Sequence, residues 1–282
     1  MNVMISKTSQ SDFKPIHLMI APVGLEKDRV IFGLNRYPVN RVVLLRSKVR
    51  EYSEEEKLKN INYNRIIDLT NRQVTRVKQA IKGILHIEED DINLRSFAAI
   101  IKKLNQIVSE IKQNPELHLE RVYINTSTSN KLFAMAAYLF GCYHHELVEL
   151  FYINANDYIF TRLYMDKNYT KENALADFEE HGETTGDYIL QKVPTFPLPS
   201  LENFEQEILS KITTLTENFG IELPLSELLN RLGVPLEDTK NRMKISYHLK
   251  ILADKGFLEL IKKGRQKFIS LTELGVFFGI LS

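Results

Sequence analysis

Three of the nine prolines in this 282-residue chain fall within six residues, in the segment KVPTFPLPS at 192–200. Proline fixes its own φ and pushes the preceding residue towards extended conformations, so this segment is neither a helix nor a central strand. The hydrophobic patterns on its two sides also differ. We therefore predict an N-terminal arm at 1–15, a first domain at 16–191, a linker at 192–200 and a second domain at 201–282.

The first domain alternates short apolar runs with helical patterns. Near-continuous apolar runs are typical of parallel strands that are buried on both faces. They are HLMIAP at 17–22, RVVLLR at 41–46, RVYIN at 121–125 and LVELFYI at 147–153, with a less clear candidate at 83–87. Residues 94–113 and 131–140 have helical spacing, and Asn93 is the expected N-cap of the first of these helices. This order predicts an α/β fold with a Rossmann-like, doubly wound, mainly parallel sheet, and with helices or loops peripheral to it at 154–191.

The second domain has three helical patterns followed by two short strand patterns. The strands flank the turn KKGR, in which Gly264 fits a tight hairpin. In the third helix, Ile245, Leu249 and Leu252 have the spacing of a buried stripe. Helix, helix, helix and a two-stranded wing is the order of a winged helix-turn-helix. The helices are predicted at 201–219, 224–232 and 239–255, and the strands at 257–261 and 267–271.

The formal net charge of +1 by itself argues against nucleic-acid binding, but the charge is unevenly distributed. Residues 200–238 contain two basic and eight acidic residues, whereas 239–268 contain nine basic and two acidic ones. The basic stretch covers the third helix and the wing, which winged-helix proteins place in the major groove and along the phosphates. We expect double-stranded DNA as a partner, contacted by Arg242, Lys244, Ser246, Tyr247, His248, Lys250, Lys262, Lys263, Arg265 and Lys267.

Two alternatives to DNA contact stay open at this point. Basic residues on a helix often form no more than a solvated surface. A winged helix can also serve only for dimerisation, in which case no salt-dependent DNA binding is expected.

Polar residues follow two of the predicted strands, at the ends where ligands bind in doubly wound sheets. The first strand runs into PVGL at 22–25, where Gly24 allows close approach of the backbone. The strand at 121–125 runs into TSTSNK at 126–131, directly before a buried helix. Hydroxyls, amides and a lysine at the positive end of a helix dipole suit phosphodiester or nucleotide recognition. Ser and Thr also cap helices routinely, so a purely capping role stays open.

The segments PVG at 22–24, LLRS at 44–47 and NTSTSNKLFAMAA at 125–137 resemble the CARF domain, the CRISPR-associated Rossmann fold. With the proline-rich linker and the winged helix, most of the chain resembles archaeal CARF-HTH transcriptional regulators. The resemblance implies a homodimer that binds a cyclic oligoadenylate second messenger, often cyclic tetraadenylate, in antiviral defence. The implied ligand-binding residues are Val23, Gly24, Leu25, Arg46, Ser47, Asn125, Thr126, Ser127, Thr128, Ser129, Asn130 and Lys131.

The chain departs from the family motif N-x-[ST]-G-G-[ST]-K. It has Thr128 and Asn130 near the positions where glycine is usual. Side-chain hydrogen bonds then replace close backbone approach, which leaves the ring size of the ligand open.

A ring nuclease that cleaves its own cyclic oligoadenylate is the alternative function, because the Thr, Ser and Lys side chains at 126–131 can stabilise charge on a phosphate. No catalytic residue is assigned. GxSxG and GxGxxG are absent, and we expect neither a cofactor nor a metal. His144, His145 and Glu149 lack a metal-site spacing and are expected at the surface, and Cys142 is expected to pack in the core.

The single cysteine excludes an intrachain disulfide framework and favours a reducing compartment. No apolar run approaches the roughly 20 residues of a membrane-spanning helix, and the N-terminus lacks a signal-peptide pattern. We therefore expect a cytoplasmic protein with no membrane partner.

Overall fold

The computed structural model describes residues 15–47, 61–198, 201–219, 222–235, 237–264 and 266–281. Apart from Pro15, which begins the first strand, the predicted arm at 1–15 lies outside these residues. The chain divides into two compact units. One comprises Met1–Arg95 and Gln106–Pro197, and the other comprises Ser96–Asn105 and Leu198–Ser282.

Strands and helices alternate in residues 15–198. The elements are β1 (Pro15–Val23), α1 (Asp28–Leu34), β2 (Arg41–Ser47), α2 (Ile61–Ile81), β3 (His86–Ile92), α3 (Phe97–Gln113), β4 (His118–Asn125), α4 (Lys131–Tyr143), β5 (Val148–Tyr158), α5 (Ile159–Met165), α6 (Lys171–Glu180) and β6 (Thr184–Val193). The first part of α3 belongs to the second unit.

The described strands of the first unit form one six-stranded sheet in the order β3-β2-β1-β4-β5-β6. Neighbours from β3 to β5 run parallel, and β6 pairs with β5 in the antiparallel direction. The predicted α/β, mainly parallel, doubly wound sheet is therefore confirmed. From β1 the chain continues outward through β2 to β3, and from β4 it continues the other way. The boundary between β1 and β4 is thus the topological switch point of the sheet.

The central strands are buried because both of their faces are apolar. In β1, the successive residues Leu18, Met19 and Ile20 are each 0% exposed. Successive side chains of a strand point to opposite faces, so both faces of β1 are covered. On one face, α1 and α2 contribute Val30 and Val77 to the core cluster that includes Met19.

The interpretation of 154–191 as helices or loops outside the sheet is wrong in part. This region contains α5 and α6, but β5 extends to Tyr158 and β6 occupies Thr184–Val193. Because β6 is an antiparallel edge strand with one face towards solvent, it lacks the continuous apolar run that marks the buried strands.

Two boundaries also differ from the sequence patterns. The candidate strand at 83–87 is β3, which begins at His86. The helix predicted from residue 94 begins at Phe97, because the hydroxyl of Ser96 accepts a hydrogen bond from the Ala99 N–H at 3.2 Å and acts as the N-cap. Asn93 instead accepts from the Arg95 N–H at 3.0 Å, and this local turn precedes the helix.

The described part of residues 198–282 contains three helices, a small sheet and a terminal helix. They are α7 (Asn203–Phe219), β7 (Glu222–Pro224), α8 (Leu225–Arg231), α9 (Thr239–Asp254), β8 (Leu258–Lys263), β9 (Gln266–Leu271) and α10 (Glu273–Leu281). The order of the described strands is β7-β9-β8, with antiparallel pairing throughout. The predicted helices and hairpin are confirmed. β7 and α10 were not predicted, because β7 has three residues and α10 is apolar on nearly every side.

The core of the second unit contains the predicted stripe of α9. Ile245, Leu249 and Leu252 are 4%, 1% and 0% exposed. Gly264 has a φ of +61° in the turn between β8 and β9, as the hairpin prediction required. In the same unit, the Asn105 side-chain amide donates to the Ile280 carbonyl oxygen at 3.0 Å, which fixes the first part of α3 there. Among the residues described above, no helix combines the length and the apolar character needed to cross a bilayer.

Candidate functional site

The switch point between β1 and β4 places two loops side by side. The two strands are paired in parallel up to Ile20, which lies opposite Ile124, so they end at the same edge of the sheet. The segments that follow therefore start next to each other. We call residues 22–25 the first loop and residues 125–131 the site loop.

The first loop and the site loop are in direct contact. A Cβ atom on Gly24 would lie 2.9 Å from the backbone carbonyl oxygen of Thr128, so a residue with a side chain cannot occupy this position without a shift of the backbone. The Thr128 hydroxyl donates a hydrogen bond to the Pro22 carbonyl oxygen. Leu25 is half-buried. The structure thus brings Gly24 and the site loop together.

The first part of the site loop is buried and fixes its own backbone. Residues 125–128 are between 0% and 9% exposed. The Thr126 hydroxyl donates to the Phe151 carbonyl oxygen at 2.9 Å, and the Ser127 hydroxyl accepts from the Ile153 N–H at 2.6 Å. These side chains tie the loop to β5 and are not presented to solvent.

The second part of the site loop reaches solvent at the N-terminus of α4. Asn130 is the N-cap, since its side-chain oxygen accepts from the Phe133 N–H at 2.9 Å while its amide donates to the Leu94 carbonyl oxygen at 2.9 Å. Lys131 is exposed at the first helical position. Ser129 is half-buried, and its hydroxyl oxygen is buried with no hydrogen-bond partner among the described residues. Together with the positive end of the helix dipole, this surface can bind an anion.

Arg46 and Ser47 lie at the same edge of the sheet. Arg46 is opposite the buried Val23 in the register of β1 and β2. Its guanidinium pairs with Asp91 at 3.1 Å and with Glu89 at 3.5 Å. Ser47 is exposed. The structure therefore places both residues near the first loop, with the charge of Arg46 already balanced by carboxylates of β3.

A buried ion pair under the two loops was missed in the sequence. Glu26 and Arg29 are paired and are 2% and 5% exposed. The Arg29 carbonyl oxygen accepts from the Asn125 side-chain amide at 3.3 Å, which links the pair to the site loop. Burial raises the pKa of Glu26, although the adjacent Arg29 opposes the rise. The spacing of Glu and Arg three residues apart, directly after Gly24, is the sequence signal that could have indicated this pair.

His145 is exposed, as expected, but the surface prediction is wrong for His144. The His144 ring lies 4.6 Å from the Phe140 ring, and its Nε2 is buried with no hydrogen-bond partner in the described chain. Burial, with a smaller contribution from Lys112, lowers the pKa of His144 to about 4. The physical reason is that α4 continues to Tyr143. His144 is therefore the C-cap residue of this helix, and its ring packs against the apolar Phe140.

Glu149 takes part in an ion pair, and Cys142 lies in the core. Glu149 is half-buried and pairs with Lys192 at 2.8 Å. Cys142 is a free thiol and is 0% exposed, which confirms that it packs in the core.

Residues 239–267, here called the basic segment, carry the predicted DNA contacts. A groove of about 540 Å³ lies between α8 and α9. Arg242, Ser246 and Tyr247 line it together with Met243, which is 68% exposed. Lys250 is exposed on the same helix. The structure thus brings three of the predicted DNA contacts, Arg242, Ser246 and Tyr247, together along one groove.

Lys244 and His248 are directed towards α7. The Lys244 ammonium lies 4.3 Å from the centroid of the Phe204 ring, and the His248 ring lies 4.9 Å from the same ring. His248 Nδ1 is 3.7 Å from a carboxylate oxygen of Glu205. The structure therefore separates these two residues from the groove.

The hairpin β8–β9 presents lysines on both strands. Lys262 and Lys267 are exposed and lie directly opposite each other in the register. Lys263 pairs with Glu222, and Arg265 lies outside the described residues. Like charges directly opposite each other destabilise a strand pair, so the hairpin concentrates positive charge at some expense of its own stability.

Comparison with protein families gives one match. The family model described as "HFX_2341_N:-like, N-terminal" matches residues 16–158, which include the first loop and the site loop. No curated protein matches this chain.

Several solved structures are similar to this chain at low sequence identity. Enterococcus italicus Csm6 bound to cyclic hexa-2'-fluoro-hexa-dAMP is 14% identical with a TM-score of 0.37, over 86% of this chain and 55% of Csm6. Can2 from Sulfobacillus thermosulfidooxidans in complex with cyclic tetra-adenylate is 11% identical with a TM-score of 0.32, over 94% and 61% of the two chains. Protein VC1899 from Vibrio cholerae is 12% identical with a TM-score of 0.31, over 94% and 65%.

The chain thus spans between 55% and 65% of the length of these three structures.

Proposed function

We propose that this chain, which belongs to the HFX_2341_N:-like, N-terminal family, is a CARF-type transcriptional regulator that couples binding of a cyclic oligoadenylate to binding of double-stranded DNA. The ligand domain is 16–191, the linker is 192–200 and the winged helix-turn-helix is 201–282. The regulator acts in the cytoplasm as a homodimer, in CRISPR-based antiviral defence.

The contact between the first loop and the site loop carries this proposal. It lies at the switch point of the sheet, where open α/β folds bind their ligands. Gly24 and Thr128 bring the two backbones together, and the Thr128 hydroxyl fixes the contact. A surface of fixed backbone beside a helix N-terminus is well adapted to a phosphodiester.

Cyclic tetraadenylate is the ligand that we favour. The sequence resemblance of 125–137 to the CARF motif supports an oligoadenylate, and Ser129 and Lys131 supply the hydroxyl and ammonium groups that bind phosphate oxygens. The Asn130 side chain instead caps α4 and holds the Leu94 backbone. One chain offers a single such set. A symmetric ring that binds across a twofold axis would meet two sets, which supports a homodimer.

The basic segment supports DNA as the second partner. Lys262 and Lys267 face each other although like charges repel, and a polyanion would relieve this repulsion. Arg242, Ser246 and Tyr247 line one groove beside α9, where they can contact base edges and phosphates. Lys244 and His248 are assigned to the support of α9 and not to DNA.

Coupling requires that the ligand bind one arrangement of the dimer better than another. A ligand with equal affinity for both arrangements would shift nothing. Equal DNA affinity with and without cyclic tetraadenylate would therefore refute the regulatory part of the proposal while leaving ligand binding intact.

Calorimetry with cyclic tri-, tetra- and hexaadenylate tests ligand binding. We expect one ring per two chains and the highest affinity for cyclic tetraadenylate. Lys131→Ala removes a charge-assisted contact and should weaken binding by roughly 10- to 100-fold. Lys82→Ala is the matched control, because Lys82 is exposed before the amino end of β3, at the opposite edge of the sheet. No binding of any ring would overturn the proposal.

The same samples test whether the ring is cleaved. The hydroxyl of Thr126 donates to a backbone carbonyl oxygen, as does that of Thr128, so neither proton is available to a reacting phosphate. We therefore expect cyclic tetraadenylate to remain intact after hours with the protein. Linear products detected by chromatography would favour the ring nuclease instead.

Fluorescence anisotropy with a labelled mixed-sequence duplex tests DNA binding. Lys262→Gln should lower the affinity and reduce the slope of log K against log salt by roughly 0.9, the value for one phosphate contact. Lys211→Gln is the control, because Lys211 is exposed on α7 and pairs with Glu207. Identical salt slopes for wild type and Lys262→Gln would exclude a phosphate contact by Lys262.

A further inference from the structure

Three potential metal ligands meet where α7 and α9 pack in the second unit. Glu202 directly precedes α7, and Glu205 lies in its first turn. His248 comes from the middle of α9. One ligand atom from each of the three residues lies within 4.8 Å of the others. The 42 residues between Glu205 and His248 explain why no motif in the sequence indicates this group.

The imidazole of His248 is aimed into this group without a hydrogen bond. Its Nδ1 is buried and unpartnered among the described residues, and it lies 3.7 Å from the nearer oxygen of Glu205. This distance exceeds the range of a hydrogen bond. Two ligand atoms that each bind Zn²⁺ at about 2.0–2.2 Å are separated by roughly 3–3.5 Å, so a small closure would allow both to bind one ion. The Phe204 ring packs against His248 edge-on at 4.9 Å and restrains the imidazole.

The second oxygen of Glu205 has a different partner. It accepts a hydrogen bond from the Lys255 ammonium at 2.9 Å. The same oxygen accepts from the Glu202 N–H at 3.4 Å. A carboxylate that offers one oxygen to a metal and is held by a donor through the other is a common arrangement around metal ions.

We propose that Glu202, Glu205 and His248 form a Zn²⁺ site that joins α7 to α9. Two carboxylates and one imidazole fit zinc better than magnesium or calcium, which prefer oxygen ligands alone. Glu202 is exposed, so the fourth position is open to water. The site does not depend on DNA or oligoadenylate binding.

Titration of the full chain with zinc tests this site after treatment with EDTA and removal of the chelator. Calorimetry should show one Zn²⁺ per chain, and thermal unfolding should shift to higher temperature because the ion binds the folded state. Co²⁺ used as a probe should give visible absorption bands that zinc abolishes.

Two variants locate the site. Glu202→Gln changes an exposed side chain, so the fold is retained. This variant should weaken zinc binding at least tenfold. His248→Gln should weaken zinc binding to the same extent. Glu207→Gln, on the same helix but outside the group, should bind zinc like the wild type. The proposal is overturned if no saturable binding occurs, or if Glu202→Gln binds zinc as tightly as wild type. The Glu202→Gln result decides even if His248→Gln fails to fold.

Discussion

The site loop and the basic segment use polar residues in opposite ways. In the site loop, residues 125–128 turn their side chains inward and are at most 9% exposed. In the basic segment, Lys250, Lys262 and Lys267 are exposed. The polar groups of the site loop hold the backbone in place, whereas those of the basic segment expose positive charge to solvent. The number of polar residues in a motif therefore does not measure how many of them can reach a ligand.

Asn125→Leu should have the largest effect, because the Asn125 side chain is 0% exposed and makes two bonds to buried backbone. It donates to the Arg29 carbonyl oxygen at 3.3 Å and accepts from the Ser127 N–H at 2.9 Å. Leaving both groups unpaired should lower the free energy of unfolding by roughly 2–5 kcal/mol. Urea denaturation followed by circular dichroism measures the change. Lys131→Ala, in the same loop but exposed, should stay within about 0.5 kcal/mol of wild type.

His144→Phe should reduce the loss of stability at acidic pH. The folded-state pKa of His144 is lowered to about 4, whereas its unfolded pKa is about 6.5. Above pH 6.5 the imidazole is neutral in both states, so its burial costs no stability there. As the pH falls from there to about 4, the unfolded state binds the extra proton and up to roughly 3 kcal/mol is lost. Urea denaturation between these pH values should show a shallower decline in His144→Phe. His145→Gln is the exposed neighbour and should follow the wild-type curve; identical curves for all three proteins would contradict the assignment.

Gly24→Ala tests whether the contact between the two loops is as close as the structure indicates. The added Cβ would lie 2.9 Å from the Thr128 carbonyl oxygen, and backbone cannot rotate away as a side chain can. We expect a loss of about 1–3 kcal/mol in the free energy of unfolding and weaker oligoadenylate binding. Ser47→Ala, an exposed position at the same edge, should change stability by less than about 0.5 kcal/mol. Wild-type stability in Gly24→Ala would show that the loops lie further apart.

Lys267→Gln should have the smallest effect on stability, and with the opposite sign. It removes the repulsion from Lys262 across the hairpin, so the free energy of unfolding should rise by up to about 0.5 kcal/mol. DNA affinity should fall at the same time, because one phosphate contact is lost. Thermal unfolding and fluorescence anisotropy measure the two changes. A variant that is more stable and binds DNA unchanged would show that this lysine is only a solvated charge.

The parts of the fold that follow from apolar periodicity were predictable. The buried strands β1, β2, β4 and β5 are near-continuous apolar runs, and the stripe Ile245, Leu249 and Leu252 has helical spacing. By contrast, β6 is an edge strand with a solvent face, β7 has three residues, and α10 is apolar on nearly every side. None of these three elements has a pattern that distinguishes it from a loop or from a core segment.

The candidate site was predictable in position but not in detail. Polar residues after two parallel strands point to one edge of the sheet, whatever their orientation. Which of them face solvent depends on partners that are distant in sequence. Thr128 bonds to Pro22 and Ser127 to Ile153, and His248 faces Glu205 on another helix. A single sequence does not encode these pairings in its spacing.

The outer strand β3 carries four consecutive carboxylates, at 88–91. Among the described residues, Arg41 pairs with Glu88, Arg46 with Asp91 and Lys78 with Glu89. If a second copy added its own β3 alongside, carboxylates of the two copies would lie next to each other, and like charges on neighbouring strands repel. Charged residues on a sheet edge are one of the means by which proteins resist edge-to-edge aggregation. Self-association of this protein should therefore use a surface other than β3, and the sheet is protected on that side against growth into fibrils.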